Sequence, residues 1–126
     1  MTGTITYHNY PVDTTPPTIL SASSDKIDGT YTTGEIIDID LIFSEIVTST
    51  GNVTVTLDTG GTCSFVVTSA TTGSCFYTVQ LGDISSDLTV TSVTGIIHDA
   101  ALNAMVDFTP ALNIASNKDI VIAVIP

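Results

Sequence analysis

Carboxylates are the side chains this 126-residue chain supplies most freely for chemistry: eleven Asp and two Glu stand against Lys26 and Lys118, with no Arg. Acidic side chains do two kinds of work. Clustered with amide and carbonyl oxygens they hold a hard cation such as calcium, which takes about six to eight oxygen ligands; paired across a substrate they act as acid and base. Asp13, Glu45, Asp99 and Asn103 are the candidates for the first kind of work, provided the fold gathers them. For the second kind the chain lacks Trp and carries only 6% aromatic residues, too little for a sugar platform. Neither His8 nor His98 has a Ser or Cys nucleophile at a recognisable spacing, and no Gly-x-Ser-x-Gly elbow is present. The chain reads as non-catalytic.

A net charge of −11 repels DNA, RNA and other polyanions, so nucleic acid is excluded as a partner. The same charge keeps a protein soluble and monomeric, so no single Asp is a ligand on charge alone. No apolar run reaches the roughly 18 residues of a membrane-spanning helix, so no membrane insertion is expected. The amino terminus has no basic-then-apolar leader, and the first Met reads as the start of an excised fragment.

The element that must position the acids runs from Gly34 to Glu45. Ile37, Ile39, Leu41 and Phe43 fall on one face and Asp38 and Asp40 on the other, the period of two of a strand buried on one side. Further strands are expected around Ile19 to Ser23, at Val53 to Leu57, around Cys63 to Val67, at Cys75 to Leu81, around Leu88 and Val90, and at Asp119 to Ile125, with a short one at Met105 to Phe108 inside an irregular region from Gly95 to Asn113. No stretch has helical periodicity. The 35 Ser and Thr, with many Val and Ile, favour strands. About seven short antiparallel strands, with turn signals at intervals of roughly 8 to 12 residues, predict an all-β, immunoglobulin-like β-sandwich of two sheets over residues 13–126.

In such a sandwich successive loops alternate between the two poles. Asp13, in a linker stiffened by Pro16 and Pro17, Glu45 at the end of the central strand, and the segment Asp99 to Asn103 then meet at one end. The other end collects Asp25, Asp28, Asp58, Asp83 and Asp87, for which turn formation is the better reading and a second ion site the weaker one. Residues 1–12 read as an extended segment: the tail of a preceding repeat, or a strand that pairs with a neighbouring chain. Asn52-Val53-Thr54 matches an N-glycosylation acceptor.

Cys63 and Cys75 sit in adjacent strands around a turn centred near Ser69, which predicts a disulfide and an oxidising compartment. Reduced, half-buried thiols are the competing reading.

The order DTTPPTI, DGTYTTGEIIDIDLIFSEIV, VTLDTGG, YTVQLGDISSDL, HDAALNA and NKDIVI resembles the bacterial immunoglobulin-like repeats of large cell-surface adhesins and secreted repeat proteins, over most of Asp13 to Ile122. The resemblance implies a tandem extracellular spacer or stalk, with neighbouring repeats or identical subunits as partners, in many cases stiffened by calcium at the junctions. It matches Asp13, Glu45, Asp99 and Asn103 to the acidic positions of that pattern. The chain departs from it at Leu102, where Gly is common, and at Ile46, where Pro is. The alternatives are a filament subunit that adds Thr4 to Tyr10 to a neighbour's sheet, and a carbohydrate- or protein-binding head using Gly95 to Asn113.

Overall fold

Ile37, Ile39, Leu41 and Phe43 are all at most 2% exposed in the computed structural model of the chain, which describes residues 13–124. The expectations for residues 1–12 lie outside the described residues. The described chain is mostly strand in antiparallel ladders, with a core made by alternation. In order, β1 is Ile19–Ser23, β2 Gly29–Tyr31, β3 Ile36–Leu57, β4 Thr62–Phe65, β5 Ala70–Thr78, β6 Val90–Asp99 and β7 Ile120–Ile122, with one helical turn, α1, at Ile114–Asn117.

The main departure from expectation is β3, which joins two expected strands into one of 22 residues. Its first part pairs with β1 and β5, and its second with β6 and β4. Gly51, with φ 74°, does not end the strand; the ladder to β6 shifts register between Thr50 and Thr54 and continues. Odd-numbered apolar residues stay inward on both sides of that irregularity, from Ile37 to Leu57.

β3 also bends back on itself. Cys63 lies opposite Val55 and Cys75 opposite Ile39, yet the two cysteines are bonded with Cα atoms 5.6 Å apart. A straight strand would separate Ile39 from Val55 by about 50 Å, so the two parts of β3 face one another across a shared core. That core holds Ile39, Leu41, Val53, Val55 and both cysteines, together with Tyr77, Ile97 and Ile120.

Two other expectations are corrected. Gly95 to Asp99 is not irregular but the end of β6, paired to β3 from Thr50 to Val47. Met105 to Phe108 forms no strand; its neighbour Ala104 makes a single bridge to His98, and Met105 donates its N–H to the Ile97 carbonyl at 2.8 Å. Asn113 caps α1: its Oδ1 accepts from the Ile114 N–H at 2.8 Å and the Val90 N–H at 2.9 Å. β7 pairs in parallel with β2.

Candidate metal centre

Glu45 occupies an odd, inward-phase position of β3, where the ladder to β5 shifts register between Ile42 and Val47. One position short of that, Ser44 donates its N–H to the Thr18 carbonyl at 2.9 Å, and its Oγ accepts the Thr18 N–H at 2.8 Å. These bonds bring the linker, and with it Asp13, against the same end of the fold. Asp99 closes β6 opposite Val47 and is only 1% exposed, because its position too is inward. The chain then turns tightly: Leu102 donates its N–H to the Asp99 carbonyl at 3.0 Å, and Asp99 its own to the Asn103 carbonyl at 3.1 Å.

Asp13, Glu45 and Asp99 thus present carboxylate oxygens that all lie within 4.8 Å of one another. Asn103 is brought to the same place. Its N–H donates to Asp99 Oδ1 at 2.8 Å, and its Nδ2 to Asp99 Oδ2 at 3.0 Å and to the Asp13 carbonyl at 2.9 Å. The amide therefore ties the linker to the buried acid, with its nitrogen turned toward Asp99.

No protein-family model, curated protein or solved structure matches this chain. The chemistry of the cluster rests on its own geometry.

Desolvation, and then the charges of Asp99 and Asp13, push the Glu45 carboxyl above its ordinary value. Burial opposes ionisation of Asp99 as well, but the hydrogen bonds from the Asn103 side chain and backbone outweigh it and hold Asp99 low. The site thus favours the charged form of buried Asp99 and disfavours that of Glu45 beside it. Among the described residues the one ion pair is Lys118 with Asp28 at 3.9 Å, so no basic side chain neutralises Asp99. Buried charges are paired or hold metals, and this donor set of hard oxygens fits calcium in kind.

Of the acids expected at the other end, Asp83 bonds within its own turn, while Asp28 and Asp58 tie together segments distant in the chain. Asp28 accepts from the Asp119 N–H at 2.8 Å, Asp58 from the Ser85 hydroxyl at 2.6 Å and the Thr89 N–H at 3.1 Å, and Asp83 from the Gln80 N–H at 2.9 Å and the Tyr77 hydroxyl. The Tyr77 hydroxyl is pushed up to about 12, first by burial and then by its bond to Asp83.

Sequence reasoning missed a different trio: Asp25, Asp38 and Asp40 also bring carboxylate oxygens within 4.8 Å. Asp38 and Asp40 share the outer face of β3, and Asp25 follows β1, whose Ser23 lies opposite Asp40. Burial and then the bond to Asp38 push Asp40 up to about 6. Partial burial works against the Asp38 charge, but hydrogen bonds from Asp40, the Asp25 N–H and the Ser24 hydroxyl hold it low. The i, i+2 spacing on one strand face was the available signal.

The bridge expected between Cys63 and Cys75 is present, though the two are not ladder partners: it ties the strand beside one part of β3 to the strand beside the other.

Proposed function

We propose that the chain is a non-catalytic extracellular spacer: an immunoglobulin-like β-sandwich repeat of the kind its sequence resembles in adhesins and secreted repeat proteins, stiffened by calcium at the pole where the linker arrives. The convergence of Asp13, Glu45 and Asp99, from three distant parts of the chain, carries this reading. Bound there, calcium neutralises mutually repelling acids and clamps the linker to the body of the fold, while the Asn103 amide rotates to offer its oxygen. The disulfide supports an oxidising, extracellular setting.

Thermal melts in millimolar calcium and in chelator test it. With calcium at about a hundred times its Kd the gain is about 2.7 kcal/mol, or roughly 10 °C for a chain of this size. Glu45→Gln should melt higher than the parent in chelator, because one repelling charge is gone, and should lose the calcium response. Equal melting temperatures of the parent protein in the two buffers overturn the calcium assignment.

A further inference from the structure

The outer face of the sheet made by β3 and β5 combines features that turn formation and the metal centre leave unexplained. Asp38 lies opposite Phe76, and Asp40 opposite Ser74. With Ile36, Asp25 and Lys26 they line an open concavity of about 530 Å³. Its apolar wall faces solvent: Phe76 is 70% and Ile36 51% exposed. Its floor is anionic, and Lys26, the one basic residue in the lining, sets its Nζ over the Tyr31 ring, 5.8 Å from the centroid, with no ion pair to these acids.

We infer that this concavity docks a lysine or arginine side chain of a partner protein. Its cationic head meets Asp38, Asp40 and Asp25, and its stem lies along Phe76 and Ile36. A cation over an aromatic face beside carboxylates is attracted by both, and the aliphatic stem of a long basic side chain covers apolar surface while its head stays polar. A bare metal ion would use the acids and leave Phe76 and Ile36 without a role. A second copy of this chain is a poor source of that side chain. The chain has no Arg and only two Lys, of which Lys118 is paired with Asp28 and Lys26 already lines the concavity, while two molecules of charge −11 repel. The inference stands apart from the calcium assignment, because Asp38 and Asp40 lie well along β3 from Glu45.

The test titrates isotope-labelled protein with a tetra-arginine peptide and follows backbone amide shifts. Shifts should centre on Asp38, Asp40, Ser74 and Phe76. Asp38→Asn with Asp40→Asn should weaken binding about tenfold, and Phe76→Ala, at an exposed position that keeps the fold, about threefold. Glu45→Gln should leave it unchanged. Shifts spread over the acidic surface, or full affinity in Phe76→Ala, would mean attraction by net charge alone and overturn the inference. So would calcium filling the concavity in competition with the peptide while Phe76→Ala leaves peptide affinity intact.

Discussion

Breaking the bridge between Cys63 and Cys75 should cost this protein about 3 kcal/mol. The cysteines are 12 positions apart, and the chain-entropy estimate for a closed loop of that length comes to about 3 kcal/mol at 25 °C. Both are buried, Cys63 8% and Cys75 4% exposed, so reduction of the wild-type protein isolates the bridge, while Cys63→Ala with Cys75→Ala adds a small cavity term. Urea unfolding followed by circular dichroism is the assay. The midpoint of the reduced protein should fall by about 1.5–2 M at an ordinary urea slope, and its melting temperature by about 10 °C. The double Ala variant should lie at or below the reduced protein. A loss under about 1 kcal/mol would refute the reasoning: it would mean that the pairing of β4 and β5 with β3 already confines the two sulfurs in the unfolded ensemble, and that the bridge closes no free loop.

Leu102 has φ 67° and is 75% exposed, so Leu102→Gly removes a left-handed strain of about 1–2 kcal/mol against a glycine entropy cost of about 0.5–1 kcal/mol. The melting temperature should rise by about 2–4 °C, and a fall would show that the leucine packs on something. Asp40 raised to about 6 and Asp38 lowered have opposite consequences for stability against pH. The Asp40 contribution is complete below its unfolded value near 4 and is lost as pH rises through about 6, whereas that of Asp38 is lost as pH falls below 4. Stability should therefore drop between about pH 4 and 6, and Asp40→Asn should flatten that drop in melts across the range. A Cβ on Gly73 would run into the Phe65 ring; Gly73→Ala should lose about 1–3 kcal/mol in urea, and Phe65→Leu with Gly73→Ala should recover part of it.

Alternation made the inner face of β3 legible, since a residue in a one-sided strand can only point in or out and Ile37 to Phe43 are all apolar at odd positions. The gathering of Asp13, Glu45 and Asp99 was expected from strand ends meeting at one pole, and the three do come together, although Glu45 lies within β3 and not at its end. What the residues hide is where a ladder continues through a disturbance. Gly51-Asn52 has the composition of a turn, yet β3 passes through it because β6 supplies partners on both sides of the irregularity. Gly95 looked like the end of a strand for the same local reason, and β6 runs on to Asp99. The burial of Asp99 follows from that extension, which places it in the inward phase of β6. Asp25 joins Asp38 and Asp40 only through the register of β1 on β3, a non-local fact that composition does not carry.

β1, β4, β5 and β6 all take their ladder partners from β3. No half of the molecule therefore owns a complete set of neighbours. Cleavage of the chain near Glu45 puts β5 and its main partners, Ile36 to Ile42, on different fragments. During folding the hub has to wait for segments both earlier and later in the chain, a distant-contact arrangement that goes with slow, all-or-none assembly.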